Sequence, residues 1–450
     1  MSLILIIQMC IAALAATAIY TIVGAIPGAD ETATLAPVTL VLILAGIHPA
    51  VVLAFFIAAI IACKLIDAVP VSVAGIPAGV MSTPLVPHAL VLKAEGKTDI
   101  SIQKIAAGAV VGTIVSIPIS LILASAIVPF ADVIKNSSGL IFFVGSLFLA
   151  LLSQNKIVSL ISIFPMALLI QGMRTLYTAT GAVPEGKTVF ISIFLAITIG
   201  PAMLSLLELL NPNLRKSKQV NEKQVITLSA NQKMKGYPNP FKILSKKEMG
   251  LSALASAIGS FFFILSPVGL TVFLGELVAS KEKNPIKKAG VALSAMEALA
   301  QGTYISGTLI PLLAIGLPLS PMAIGPANPL FNAPPVLTLE NNLHHLLSYP
   351  EFVTATLIGA IIATIVTFYI AVRFSRQISI IVFKYIPHES LIALFMALVL
   401  LLAYMDGGMT NIIGVLVIGL FSGALHRAGV SYGVMFMTLY AAPWILTKLF

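Results

Sequence analysis

QGTYISGTLIPLLAIGLPLSPMAIGPANPLF, residues Gln301–Phe331, carries no charged side chain and can therefore lie at membrane depth. It cannot form one unbroken helix, because each of its five prolines removes a backbone donor and clashes with the preceding turn. Lipid tolerates broken backbone only where protein or a water-filled cavity covers the freed polar groups. The stretch therefore predicts broken helices around a binding site in the membrane. The alternative is a spanning helix that the prolines merely kink.

The composition of the whole chain also indicates a membrane location. Of its 450 residues, 58% are hydrophobic and only 10% are charged, whereas a soluble domain carries about 25% charged residues. We therefore predict an all-α polytopic membrane protein with about ten spans and two broken or re-entrant segments, the other being Val69–Pro87. The first span is predicted at Leu3–Val23, which lacks the basic start of a signal peptide and is expected to remain in the mature chain. Another is predicted at Leu251–Leu274.

A basic linker divides the chain. Nine of its 26 Lys and Arg residues fall in Asn211–Gly250, against two acidic residues. Short loops with this excess of basic residues stay on the cytoplasmic side, so we predict a cytoplasmic linker at 211–250. The net charge of +9 does not indicate a nucleic-acid partner, because the basic residues are not spread over a soluble face.

The two sides of the linker resemble each other. Ile105–Ile117 matches Leu357–Tyr369 at a constant offset, which places Gly108 on Gly359. The same offset takes Leu140-Ile141 onto Leu391-Ile392. We therefore predict a duplication, with a first transmembrane repeat at 1–210 and a second at 251–450. An odd or even number of spans would decide whether the repeats are inverted or parallel, and both remain open.

The two broken segments share a short pattern. Gly75-Ile76-Pro77 recurs as Gly316-Leu317-Pro318, and we expect both to end half-helices that face one another across a polar cavity. Free backbone amides there would bind a carboxylate, and nearby hydroxyl and amide groups would orient it. The predicted substrate-binding residues are Ser72, Gly75, Pro77, Ser82, Thr83, Thr303, Ser306, Thr308, Gly316, Pro318, Ser320 and Asn328. For each hydroxyl the alternative is a hydrogen bond to its own helix.

Acidic residues within apolar sequence are candidates for ion coupling, because an ionisable group at membrane depth is costly unless it is paired or functional. The predicted coupling residues are Asp30, Glu31, Thr32, Thr34 and Glu297. Asp30 and Glu31 follow a glycine–proline break, and their alternative role is to cap the next helix at the interface. Glu297 could carry a proton or orient the broken stretch that follows it. Lys64 and Asp67, three residues apart, predict a structural ion pair.

Four short motifs follow one another in the order of a known family. They are G-x-x-P-G at Gly24–Gly28, an I-P-G-like stretch at Ile76-Pro77-Ala78, K-x-x-G at Lys93–Gly96, and Glu297-Ala298 ahead of P-L-L-x-x-G-L-P at Pro311–Pro318. In these motifs the chain resembles the large membrane subunit of the tripartite tricarboxylate transporters.

The resemblance implies a permease that moves a small organic anion, of the di- or tricarboxylate kind, by symport with H⁺ or Na⁺. It also implies a prokaryotic inner-membrane location, a small four-span membrane partner and an extracytoplasmic substrate-binding protein. The chain has Asp30-Glu31 and Ala78 where family members favour glycine. A stand-alone carrier is therefore the alternative to a permease subunit.

An intramembrane enzyme is the function we weigh against transport. Tyr404–Gly408 faintly resembles the motif of intramembrane aspartyl proteases, with Asp406 or the histidines as catalytic groups. The histidines lack metal-ligand spacing, and Cys10 and Cys63 predict neither a disulfide framework nor a metal site. No G-x-x-x-x-G-K-[ST] motif is present, so the chain cannot use ATP by itself. We predict no enzyme activity, no metal and no cofactor beyond the coupling ion.

Overall fold

The fold is all-helical in the residues that the structure describes. The structure is a computed structural model, and it describes residues 1–26, 31–75, 79–183, 189–209, 211–213, 237–264, 267–385 and 388–449. The helices are α1 Leu3–Val23, α2 Glu31–Leu44, α3 Pro49–Ile66, α4 Ala68–Ala74, α5 Val86–Ala94, α6 Thr98–Ile127, α7 Ala131–Asn136, α8 Ser138–Leu152, α9 Lys156–Ala179, α10 Ile191–Leu209, α11 Pro240–Ile243, α12 Lys246–Phe261, α13 Pro267–Ala279, α14 Pro285–Ala314, α15 Pro321–Ile324, α16 Asn328–Phe331, α17 Leu343–Leu346, α18 Tyr349–Arg373, α19 Ser375–Tyr385, α20 His388–Arg427 and α21 Tyr432–Leu449. Two 3₁₀ turns lie at Val80–Leu85 and Val128–Phe130.

Six helices of the described chain are long and apolar enough to cross a membrane, which makes this a multi-pass membrane protein. α1 coincides with the predicted first span. The predicted span Leu251–Leu274 is wrong, because two helices occupy it and Pro267 begins the second of them, a position that suits proline. Five further apolar helices are shorter, so the count of ten spans stays a prediction.

α14 is the central helix of the fold. All its residues from Ala289 to Leu312 are buried. The predicted break in Gln301–Phe331 is confirmed, but it begins only after Ala314, and Gln301–Ala314 is continuous helix. Pro311 is tolerated inside α14 because the Gly307 carbonyl that it leaves unpaired accepts a hydrogen bond from the Ser320 hydroxyl at 2.5 Å. The chain beyond the break therefore folds back onto the helix that precedes it.

α6 packs along α14 in parallel, with a constant register. Gly108 lies on Ser294 and Gly112 lies on Ala298. Further along, the hydroxyls of Ser120 and Ser306 are 2.8 Å apart. Small residues at this interface let the two backbones approach closely, which is how helices associate in lipid.

The helix pair α3–α4 runs antiparallel to α14. Lys64 and Asp67, near the end of α3, lie close enough to Glu297 in the middle of α14 to act on its charge. Ser72 in α4 pairs with Ser101 in the first turn of α6, 2.7 Å between hydroxyls. The register of α6 with α14 places Ser101 level with the first turn of α14. The end of α4, which contacts Ser101, therefore lies at the same level in the bundle as the start of α14.

A second interruption lies inside α20. Gly407 and Gly408 have non-helical backbone angles, and Gly408 has φ +64°, which favours glycine. The Asn411 side-chain amide donates to the Ala403 carbonyl on the other side of this break at 2.9 Å and to the Ser192 hydroxyl on α10 at 2.8 Å. The buried Asn411 side chain thus satisfies one backbone carbonyl beside the break.

Candidate functional site

Four ionisable side chains meet inside the helical bundle. Glu31 begins α2, Lys64 lies near the end of α3, Asp67 lies at the junction of α3 with α4, and Glu297 lies in the middle of α14. All four residues are at most 4% exposed. We call them the charge cluster. It holds three carboxyl groups against one ammonium, an imbalance that is unusual for a buried site.

Lys64 joins the two acids from the first half of the chain. Its ammonium donates to Asp67 at 2.7 Å and to Glu31 at 3.3 Å. The pairing of Lys64 with Asp67 confirms the predicted ion pair, and the structure adds Glu31 as a second partner. A buried ion pair in low dielectric persists only when its geometry repays the loss of hydration, so this lysine is a fixed counter-charge.

Glu297 differs from the other two acids. It is 0% exposed, and neither of its carboxyl oxygens has a hydrogen-bond partner in the described part of the chain. The charges that act on it are those of Lys64, Asp67 and Glu31. Gln301 follows one turn later on α14, donates to the Thr113 hydroxyl on α6 at 3.1 Å, and leaves its own carbonyl oxygen without a donor among the described residues.

The 3₁₀ turn after the first break covers the cluster. Gly79 lies so close to Glu31 that a methyl group in place of its hydrogen would overlap the carboxylate. The Ser82 hydroxyl donates to the Gly79 carbonyl at 2.9 Å and lies near the Asp67 carboxylate. Ser82 was predicted to bind substrate and Glu31 to bind the coupling ion, so the structure brings one member of each predicted set together.

The other hydroxyl and amide groups of the predicted substrate set make hydrogen bonds within their own helix or to neighbouring segments. Thr303 and Thr308 donate to carbonyls of their own helix, as the alternative for each predicted. The remaining contacts are Ser72 with Ser101, Ser306 with Ser120, Ser320 with Gly307 and the amide of Ala323, and Asn328 with Tyr440. Pro318 is buried in the segment after the α14 break, and Thr83 is exposed on the 3₁₀ turn.

The two glycine breaks are real, but they do not face one another. Gly75 and Gly316 follow the last residues of α4 and α14 with φ of +71° and +73°, the left-handed conformation that ends helices. A helix leaves carbonyls unpaired at this end, so the expected free amides are wrong for these positions. α4 ends level with the first turn of α14, whereas Gly316 follows the last turn of α14. The two glycines are therefore on the order of 40 Å apart along this 30-residue helix.

A polar loop closes the end of α14. The Asn342 side chain donates to the Gly316 carbonyl at 2.8 Å, and a ring nitrogen of His344 lies 3.0 Å from the Leu313 carbonyl. Burial lowers the pKa of His344, and His345 and Lys135 lower it further, while its contacts with the carbonyls of Leu313 and Leu312 oppose the shift. These contacts give His344 a packing role at the end of α14.

Residues 10–447 match the tripartite tricarboxylate transporter TctA family. The chain belongs to this family. The match covers nearly the whole chain and confirms the resemblance to the large membrane subunit, in a family of transporters and not of enzymes. No curated protein and no solved structure matches the chain.

Membership of the TctA family gives no support to the alternative of an intramembrane aspartyl protease. Tyr404–Gly408 is the site of the α20 break, and the side chain of Asp406 lies outside the described residues. Asp30, Pro77 and the side chain of Thr32 also lie outside them. Thr34 is buried, where its hydroxyl lies 3.4 Å from the Glu31 carbonyl and its own carbonyl accepts from the Tyr20 hydroxyl at 3.0 Å.

A cavity of this TctA-family protein is lined by none of the four residues of the charge cluster. It has a volume of about 490 Å³ and lies between α6, α18 and the chain that leads into α11. Its lining is almost wholly apolar and includes Ile114, Pro118, Phe241, Leu357 and Ile361. An apolar surface of this kind suits lipid chains rather than a charged substrate, because a carboxylate would lose its hydration there without gaining donors.

Proposed function

We propose that this chain is the permease of a secondary transporter for a small organic anion of the di- or tricarboxylate kind, coupled to H⁺ or Na⁺. The observation that carries the proposal is the charge cluster, buried at the centre of a membrane bundle in a TctA-family protein. Ionisable groups in such a position mark ion or substrate pathways in membrane proteins. The resemblance adds a small four-span membrane subunit and an extracytoplasmic binding protein as partners, and a stand-alone carrier is the alternative.

We place ion coupling at Glu31 and Glu297, with Asp30, Thr32 and Thr34 as neighbours in sequence. For the substrate we favour Ser82, beside the cluster, together with Thr303 and Ser306 on the part of α14 that follows Glu297. The other predicted residues, Gly316 to Asn328 above all, would line the route toward the far end of α14. All the favoured side chains are buried, so the described conformation is closed and α14 must shift against its neighbours to admit substrate.

We also propose that the two halves, 1–210 and 251–450, are inverted repeats joined by the linker. α3 of the first half packs against α1 and against α18, which belongs to the second half. α14 of the second half packs correspondingly against α12 and against α6, which belongs to the first half. Gly108 of α6 lies against the backbone of α14, and Gly359 of α18 lies against the backbone of α3. These are the two glycines that the sequence match aligned. The antiparallel course of α3–α4 and α14 supports an inverted arrangement, in which one half can rock against the other.

Transport assays on reconstituted protein test the proposal. The chain is placed in proteoliposomes alone and with the products of neighbouring genes, and uptake of labelled citrate, succinate and other carboxylates is followed. Replacement of Asp30 by Asn, or of Glu31 or Glu297 by Gln, should reduce gradient-driven accumulation at least tenfold. Exchange of internal for external substrate should fall less, since exchange does not dissipate the gradient. Normal accumulation by all three variants would place coupling elsewhere, and hydrolysis of a membrane peptide without any uptake would favour the enzyme.

The orientation is tested by cysteine labelling in intact cells. Lys104 pairs with Glu248 at 2.6 Å, and Lys288 with Glu276 at 3.3 Å, so lysines gather at the end of the bundle that the linker joins. This clustering supports a cytoplasmic linker. In a background with Cys10 and Cys63 replaced by alanine, Ser229→Cys should resist a membrane-impermeant thiol reagent. Glu340→Cys, in the polar loop beyond α14, should react. The reverse pattern would overturn the orientation.

A further inference from the structure

The Glu297 carboxyl lies in a setting that penalises its ionised form. It is wholly buried in the middle of the central helix, and neither oxygen receives a hydrogen bond from a described residue. A carboxylate without donors in low dielectric is among the costliest groups to bury, whereas a neutral carboxylic acid costs far less. Gln301, one turn later, leaves a carbonyl oxygen without a donor. Among the described residues, a protonated Glu297 carries an O–H donor without an acceptor, and the Gln301 carbonyl oxygen is an acceptor without a donor.

The neighbouring helices supply no additional positive charge to Glu297. The charges that act on it come from Lys64, Asp67 and Glu31. The other ionisable groups on the helices packed against α14 are Asp99 and Lys104 on α6, Lys246, Lys247 and Glu248 on α12, Glu276 on α13, His88 and Lys93 on α5, and His344 and His345 on α17. Lys104 is held by Glu248, and Glu276 is held by His88 and Lys288, towards the first turns of α12 and α14.

Lys64 occupies the position between carboxylates where a metal ion would otherwise lie. Its ammonium contacts Asp67 and Glu31 directly, and a second cation brought to the same oxygens would be repelled by it. In the described chain, no group of three or more His, Cys, Asp or Glu side chains is arranged to hold a metal ion. A proton needs no such cage, because it adds to a single oxygen.

We infer that the coupling ion of this protein is a proton carried by the Glu297 carboxyl, and that Lys64 is the tethered cation that takes the place of Na⁺. The coupling role rests on the proposed transport function. Within that function, the inference selects H⁺ over Na⁺ as the coupling ion. In the closed state Glu297 is neutral, and Lys64 is shared between Asp67 and Glu31. With Glu297 neutral, the charge cluster holds one excess negative charge, whereas with Glu297 ionised it would hold two.

The transport step that follows is a simple proton transfer. When the bundle opens, water reaches Glu297, its O–H bond breaks, and the proton passes to water while the electron pair stays on the carboxylate. Lys64 keeps its three protons and becomes a counter-charge for three carboxylates. Return to the closed state then requires a new proton on Glu297, because closure would otherwise bury two excess negative charges. Glu297 carries the ion and Lys64 is a positioning residue.

Infrared spectroscopy of the purified full-length protein tests this inference without any substrate. At neutral pH we expect a carbonyl stretch from a protonated, buried carboxylic acid that shifts in D₂O. The band should be lost in Glu297→Gln and kept in Glu276→Gln, a control at a half-exposed acid. It should not change when Na⁺ is added at constant pH. Lys64→Arg, which keeps the charge, should retain the band.

Absence of the band in the native protein, its persistence in Glu297→Gln, or its loss on addition of Na⁺ would each overturn the inference. The presence of the band and its response to Na⁺ are measured on the native protein, so the inference can still be overturned if a variant fails to fold. If the band behaves as expected but no carboxylate is transported, the protonated acid stands and the proposed function fails. If transport requires Na⁺ and the band is absent, the proposed function stands and Na⁺ is the coupling ion.

Discussion

Replacement of Lys64 by methionine is expected to lower the stability of the folded protein by about 3–5 kcal/mol, among the largest effects of any single change in this chain. Methionine fills a similar volume, so the loss comes from charge and not from a cavity. The Lys64 ammonium is 1% exposed and donates to two carboxylates that are themselves at most 6% exposed. Without it, Glu31 and Asp67 remain buried with no counter-charge. Thermal unfolding of the detergent-solubilised protein measures the loss.

Two further variants separate charge from packing. Lys64→Met combined with Glu31→Gln and Asp67→Asn removes the whole ion-pair group, and should recover most of the lost stability while remaining unable to couple transport. Lys247→Met breaks an ion pair whose lysine is 62% exposed, and should cost less than about 1 kcal/mol. If Lys64→Met alone were as stable as the native protein, Lys64 would not be the counter-charge of the cluster.

The sequence predicted the fold class and the breaks well, because both depend on local chemistry. Low charge and long apolar runs require a membrane. A helix end with positive φ requires glycine in practice, so Gly75 and Gly316 could be recognised as breaks. Pro311 was misleading, because the contact that lets it stay inside α14 comes from Ser320, nine residues further on and beyond the break.

The charge cluster could be predicted only in part, because its members meet through tertiary contacts. Glu31 and Glu297 stood out as acids in apolar sequence, and Lys64 with Asp67 stood out as a pair. Nothing local connects Glu31 to Lys64, 33 residues away, or either of them to α14. The expectation that the two glycine breaks meet failed for the same reason. It relied on the likeness of two motifs, whereas the antiparallel course of α4 and α14 separates them.

Leucine at Gly108 or at Gly359 is expected to cost about 3 kcal/mol or more, and the two variants should behave alike if the halves are repeats. A β-carbon at Gly108 would lie 2.9 Å from the Ser294 Cα, and one at Gly359 would lie 2.6 Å from the Ala54 carbonyl oxygen. In both places the obstacle is the backbone of a buried helix, which cannot rotate away as a side chain can. Each leucine therefore has to separate two helices that are held together by close backbone approach.

Gly172→Leu on α9 is the matched control, because a β-carbon there would meet no heavy atom within 4 Å. It should leave both the unfolding temperature and the yield of monodisperse protein near their native values. The test lies in the comparison of Gly108→Leu with Gly359→Leu. Equal losses would mean that α6 against α14 and α18 against α3 are equivalent contacts in two inverted halves. Severe loss from one variant and tolerance of the other would mean that the matching glycines have no common structural role, and the proposed duplication would lose its main structural support.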